Sequence, residues 1–388
     1  MCGIAGFVDF GGHARELAGR RVRAMTDAIP HRGPDADGFY LDDHAALGHR
    51  RLSIIDVAGG LQPMGTPDGM VQIVFNGEIY NFQPLRRELE ALGHGFRTRS
   101  DTEVILNAYL QWGDACLERL NGMFAFALWD LRSRRLMLAR DRVGEKPLYW
   151  TRRGSRVAFA SELKALRAGG GCPDEIDPES LDCYFTLGYI PSPRSIYRDV
   201  HKLRAAHCLL IGADGVRERR YWTLSFAQPR DIGLDEATDE LAALLDDAVR
   251  CRLVSEVPLG AFLSGGLDSS LVVEAMSRLS DRPVITNSVG FEAREFNELD
   301  VARVTAERLG TDHHEALVRP QAAEILPAIA WHFDEPLADS SAVPTWYVCR
   351  MARERVTVAL SGDGGDEAFG GYTFRYLPHA HESRIRAA

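Results

Sequence analysis

The chain has 388 residues, of which 45% are hydrophobic and 26% charged, with a formal net charge of −10. This is globular composition rather than that of a disordered or fibrous chain, and at roughly 100–200 residues per domain it predicts two domains. No apolar run approaches the ~18 residues of a membrane span, and no basic run points to nucleic acid, so neither a membrane nor a nucleic-acid partner is expected.

Met1-Cys2-Gly3 lacks a basic leader and Asp9 interrupts the first apolar run, which argues against a secretory signal and predicts a cytoplasmic location. The first half then shows short β-rich runs at Val71–Phe75, Phe124–Trp129, Arg135–Ala139 and Arg156–Ala160. Their close spacing predicts an antiparallel sheet system. Helical patterns fall at 13–28, 83–92 and 102–112. Residues 223–234 read as a linker, giving expected domains at 2–222 and 235–388. After it, Leu241, Leu244, Leu245, Ala248 and Val249 share one helical face. Gly260–Leu263 leads into a helix over 268–279, Val284–Gly290 into one over 298–309, and Thr357–Leu360 into a Gly-rich turn. That alternation predicts βαβ units and a parallel sheet.

Seven cysteines in a chain this long do not make a disulfide scaffold. Cys116, Cys172, Cys183, Cys208, Cys251 and Cys349 lack CxxC spacing, so zinc is not expected. Cys2 differs by position. Removal of Met1 would leave a thiol and a free α-amine on one residue. The amine has a reference pKa near ~8, so Cys2 could supply both nucleophile and base.

The motifs around it are Met1-Cys2-Gly3-Ile4-Ala5-Gly6-Phe7, His31-Arg32-Gly33-Pro34-Asp35, His49-Arg50-Arg51-Leu52-Ser53-Ile54-Ile55, Phe75-Asn76-Gly77-Glu78-Ile79-Tyr80-Asn81 and Ser100-Asp101-Thr102-Glu103. Together they resemble the class II, N-terminal-nucleophile glutamine amidotransferase domain over about residues 2–210. The resemblance implies a four-layer αββα sandwich. It also implies a glutamine site of Arg51, Leu52, Ser53, Ile54, Ile55, Asn76, Gly77, Glu78 and Asp101. Arg51 would pair with the glutamine carboxylate, as a guanidinium fork suits it. Glu78 and Asp101 would hold the ammonium. The Asn76 amide and the Gly77 N–H would form an oxyanion hole. Asn-Gly alone reads as a type I′ hairpin turn, and here turn and hole are expected to be one structure. His31 is given no catalytic role.

Leu263-Ser264-Gly265-Gly266-Leu267-Asp268-Ser269-Ser270 lies between a predicted strand and helix. Glycines permit close backbone approach, and helix N-terminal amides bind phosphate. The loop is not GxxxxGK[ST]. It resembles the SGGxDS loop of ATP pyrophosphatases. By that resemblance Leu263, Ser264, Gly265, Gly266, Asp268, Ser269, Ser270, Val289, Ser361 and Gly362 bind ATP. Asp268 and Asp366 bind Mg²⁺, which favours a few carboxylates plus phosphate oxygens. Asp363 stands where asparagine synthetases often carry Glu and is assigned to adenylate formation.

An ammonia-producing domain followed by an adenylating one resembles glutamine-hydrolysing asparagine synthetase, B type. The substrates implied are glutamine, aspartate and ATP, with a homodimer as the family-level expectation. Ammonia would need an apolar route between the domains, but Phe124–Trp129 reads first as ordinary core. Family members extend past residue 388, so an incomplete parallel sheet and impaired synthetase activity are expected. Two alternatives stay open: another carboxylate acceptor (a sugar, peptide or antibiotic precursor), or a glutaminase with a remnant second domain.

Overall fold

A computed structural model describes residues 1–292, 297–319 and 321–387 of the chain. The chain forms two compact units, Met1–Arg230 with Leu326–Asp339, and Asp231–Ile325 with Ser340–Ala388.

The first unit is built on two six-stranded sheets. One runs, in spatial order, Val200–Lys202, Tyr149–Arg153, Arg156–Ala160, Gly3–Asp9, Ala45–Arg51, Ala36–Leu41. The other runs Gly215–Arg220, His207–Gly212, Arg135–Arg140, Gly122–Asp130, Val71–Ile79, Met64–Gly65. Their named pairings are antiparallel. Strand alternation decides what each face meets. Ile4 and Val8 point into a core shared with Val74, Ala127, Trp129 and Leu138 of the other sheet. Ala5 and Phe7, one residue out of phase, meet Ala18, Val22 and Met25 of the Arg15–Asp27 helix and Leu163 and Leu166 of the Leu163–Ala168 helix. Helices Phe82–Ala91 and Asp101–Trp112 pack together, the second of them against the Val71–Ile79 strand. The layers are helix, sheet, sheet, helix, the four-layer sandwich expected.

Leu326–Asp339 also belongs to this unit. Glu335 bonds Lys202 Nζ at 2.5 Å and accepts the Ile196 N–H at 2.9 Å. Asp334 accepts the Lys164 N–H at 2.6 Å, and Lys164 Nζ lies 4.2 Å over the Trp331 ring.

The second unit holds a parallel four-stranded sheet ordered Asp312–Val318, Ile285–Phe291, Leu259–Phe262, Val358–Leu360. Chain order therefore reverses between Leu259–Phe262 and Val358–Leu360. In open α/β sheets the crevice beyond such a switch point receives ligands. Both Gly-rich turns follow these two adjacent strands. The core gathers Ala261, Leu263, Val273, Met276, Ala302 and Val249.

The periodicity of the Leu234–Arg252 helix was only partly informative. Val249 is buried and Leu245 packs against the core, but Leu241 and Leu244 are exposed, because the contacting stripe is confined to the later turns. No helix among the described residues is long and apolar enough to cross a membrane.

Candidate active sites

A cleft in the first unit is lined by Met1, Cys2, Arg51, Leu52, Ile54, Ile55, Asn76, Gly77, Glu78 and Asp101, joined by Gly60, Gln62, Phe75, Ser100, Thr102, Met123 and Lys146. The motifs thus converge from the first strand, the end of Ala45–Arg51, the Val71–Ile79 strand and the start of the Asp101–Trp112 helix. Ser53 is the exception. Its N–H donates to Asp35 Oδ2 at 2.8 Å, and the residue is not part of the lining.

Cys2 Sγ contacts both polar groups of Leu52, accepting from the N–H at 3.4 Å and donating to the carbonyl at 3.5 Å. Burial, the largest influence, pushes the thiol above its ordinary pKa, while the Leu52 N–H pulls the other way. A thiol so placed needs a base to become the thiolate nucleophile.

Asn76 and Gly77 do not form a turn. Both lie inside the Val71–Ile79 strand, opposite Ala125 and Phe124. A Cβ on Gly77 would sit 2.1 Å from the Met123 carbonyl oxygen, so glycine is required by close strand approach rather than by a hairpin. Asn76 is 1% exposed, yet neither its amide oxygen nor its nitrogen has a hydrogen-bond partner among the described residues. An unpaired buried amide costs stability and marks a place kept for a ligand.

Arg51 is buried, with Nη1 donating to the Val57 carbonyl at 2.7 Å and Nη2 to the Asp56 carbonyl at 2.7 Å. The guanidinium shapes the following loop as well as lining the cleft. Asp101 accepts the Ile79 N–H at 2.9 Å, and burial raises its carboxyl to about 6 against that bond. Glu78 is buried beside it on the strand.

The second site lies at the switch point of the parallel sheet. The Leu267–Leu279 helix begins directly after Ser264-Gly265-Gly266. Ser269 is not a free phosphate donor. Its hydroxyl bonds the Ser264 hydroxyl at 2.9 Å and donates to the Gly266 carbonyl at 3.2 Å, which locks the loop. The facing turn packs closely, since a Cβ on Gly362 would lie 2.8 Å from the Ser269 nitrogen. A Cβ on Gly365 would lie 2.5 Å from the Asp268 carboxylate, which places that carboxylate against the turn carrying Asp366. Ser361 donates to Asp363 Oδ2 at 2.9 Å. Beside the loop is a cavity of about 440 Å³, within the size range of ligand pockets. Leu263, Ser264 and Val289 line it. Gly265, Gly266, Ser361 and Gly362, on the two turns, and Asp268, Ser269 and Ser270, in the first turn of the Leu267–Leu279 helix, stand outside that lining. The lining also includes Asn287, Thr345 and Val348. Asn287 is fully buried and its two amide atoms have no hydrogen-bond partner among the described residues, and nothing in its sequence neighbourhood singled it out.

A family model described as glutamine amidotransferase domain matches residues 1–222, and one described as asparagine synthase matches residues 240–388. Glutamine-hydrolysing asparagine synthetase 1 of Bacillus subtilis is 41% identical over 97% of this chain and 60% of its own length. A putative glutamine-hydrolysing asparagine synthetase 2 of Methanocaldococcus jannaschii is 39% identical over 96% of this chain and 76% of its own. A solved glutamine phosphoribosylpyrophosphate amidotransferase from Bacillus subtilis aligns with 93% of this chain and 81% of its own at TM-score 0.42 and 16% identity. The chain thus spans about three fifths of the first of these relatives. With both family models matched in order, the chain belongs to the glutamine-hydrolysing asparagine synthetase family.

Proposed function

We propose that this chain hydrolyses glutamine at Cys2 and uses the ammonia to amidate aspartate, activated by ATP as a β-aspartyl adenylate. The observation that carries the reading is the Asn76 amide, buried and unpartnered in the cleft that holds Cys2. After removal of Met1, the α-amine takes the thiol proton. The sulfur then attacks the glutamine amide carbon, and the oxyanion accepts hydrogen bonds from the Asn76 side chain and the Gly77 N–H. The protonated amine passes its proton to the leaving nitrogen, and water hydrolyses the thioester to glutamate. Asp101 and Glu78 hold the substrate ammonium, and Arg51 its carboxylate.

In the second unit the amides at the start of the Leu267–Leu279 helix and the Ser270 hydroxyl bind the ATP phosphates, Ser264 holds the loop through its bond to Ser269, and Leu263 and Val289 flank the base. Asp268, whose carboxylate packs against Gly365, and Asp366, the residue after that glycine, are of the type that suits a hard cation. These residues would hold Mg²⁺, which would neutralise phosphate charge. Asp363 serves adenylate formation. Ammonia displaces AMP from the acyl carbon, giving asparagine.

The test combines the mass of the mature N-terminus with glutamate, AMP and pyrophosphate assays. Retention of Met1 in an active glutaminase would sink the proposed base. AMP formation with another carboxylate but not aspartate would reassign the acceptor.

A further inference from the structure

The outer edge of the Val71–Ile79 strand is held by side chains. The Met64–Gly65 strand pairs only with Ile73 and Gln72, so past Ile73 no strand among the described residues covers that edge. Phe75 instead donates its N–H to Gln62 Oε1 at 2.7 Å, and its carbonyl meets His49 Nε2 at 3.0 Å. Two repeats further, the Ile79 N–H goes to Asp101. Strand alternation turns the N–H of the residue between them, Gly77, toward the same edge, and Gly77 lines the Cys2 cleft.

Gln62 is anchored in turn, since its Nε2 donates to Thr102 Oγ1 at 3.3 Å. Thr102 and Asp101 open the same helix. The two capping side chains therefore tie the strand to one helix start. His49 is fully buried, and burial lowers it to about 4, so it is neutral at pH 7 and its Nε2–H donates to the Phe75 carbonyl.

Gly77 lacks the side chain that would restrict its backbone. The unpartnered Asn76 amide has no bond of its own to fix its direction. Both donors therefore depend on restraint from outside. We propose that Gln62 and His49 are positioning residues for the oxyanion donors, clamping the two peptide groups that flank Phe75 so that Asn76 and Gly77 face the carbon attacked by Cys2. This rests on the glutaminase reading above.

The experiment uses the full chain with three readouts: glutaminase kcat and KM, affinity for the aldehyde analogue of glutamine, and the rate of Cys2 alkylation by iodoacetamide, followed on the N-terminal peptide. The aldehyde forms a tetrahedral adduct that needs the oxyanion donors, whereas alkylation does not. Removing one such donor typically lowers kcat by about 10²–10³. Gln62→Met should lower kcat by about 10- to 100-fold and weaken the aldehyde in step, with KM and alkylation within about twofold. Gln62→Glu, which keeps the acceptor for Phe75, should recover most of the loss. Should Gln62→Met fail to fold, Thr102→Val loosens the anchor more gently and should lower kcat by about 3- to 10-fold. Unchanged kcat in both Gln62→Met and Thr102→Val, equal losses in Gln62→Met and Gln62→Glu, or alkylation falling with kcat would each overturn the clamp. A wild-type chain without glutaminase activity would instead remove the reading beneath it.

Discussion

Arg32 donates from Nε to the Cys2 carbonyl oxygen at 2.9 Å, and its Nη1 reaches the Glu162 carboxylate at 2.8 Å. Glu162 also bonds His31 at 3.0 Å and Lys164 at 2.5 Å. Burial opposes its ionisation, but the His31, Arg32 and Lys164 contacts prevail and lower the carboxyl from 4.5 to about 2. A folded-state pKa below the unfolded value contributes stability above the unfolded pKa, and that stability is lost as pH falls toward the folded one. The contribution is of order 3 kcal/mol. Glu162→Gln should therefore lower the urea midpoint at pH 7 and flatten the stability profile between pH 4.5 and 2. An unchanged acid limb would remove Glu162 from the account.

Asn76→Ala separates catalysis from stability. No hydrogen bond to the described residues is lost, so the thermal midpoint should hold or rise slightly. Glutaminase kcat should fall by about 10²–10³, or ~3–4 kcal/mol of transition-state stabilisation, with little change in KM. Steady-state kinetics beside a thermal melt checks both halves.

Asp101 has the opposite pH sign to Glu162. Burial raises it from 3.8 to about 6, with the Ile79 N–H opposing. Its contribution to stability is fully present below 3.8 and is lost as pH rises through 6. Binding of an ammonium needs the carboxylate, so KM for glutamine should fall as pH rises from 5 to 7. Asp101→Asn should raise KM by about 10- to 100-fold and abolish that dependence, with no loss of stability at pH 8. A pH-dependent KM persisting in the variant would assign the titration elsewhere.

Asn287→Leu removes a buried amide that has no partner among the described residues. The thermal midpoint without ligand should rise by a few degrees. ATP affinity should fall by about 3- to 10-fold, because the cavity loses both a donor and an acceptor. Melting curves with and without ATP measure the two effects together, and equal stabilisation by ATP in both proteins would dissociate Asn287 from the nucleotide.

The elements of the two candidate sites were legible because they are local. Leu263–Ser270 announces its own strand, turn and helix, and the Cys2, Arg51 and Asp101 motifs each carry their residue types in order. Asn76-Gly77 misled because a dipeptide that favours a turn is held in a strand by pairing with Ala125 and Phe124, and tertiary pairing overrides local propensity. Gln62 was invisible because its role needs Phe75 and Thr102, distant in sequence. Asn287 sits in an ordinary β-rich run, and only the absence of a partner in three dimensions sets it apart. Leu241 and Leu244 keep helical period yet lie exposed among the described residues.

The grouping of Leu326–Asp339 with the first unit has a mechanical meaning. Chain passes between the units at 230/231, at 325/326 and again at 339/340. A protease nick after Arg230 cuts one crossing only. The downstream fragment still carries Trp331, Asp334 and Glu335 seated on Lys164 and Lys202. The nicked halves should therefore co-elute as one particle under native conditions and part only in denaturant, a natural split point for fragment complementation.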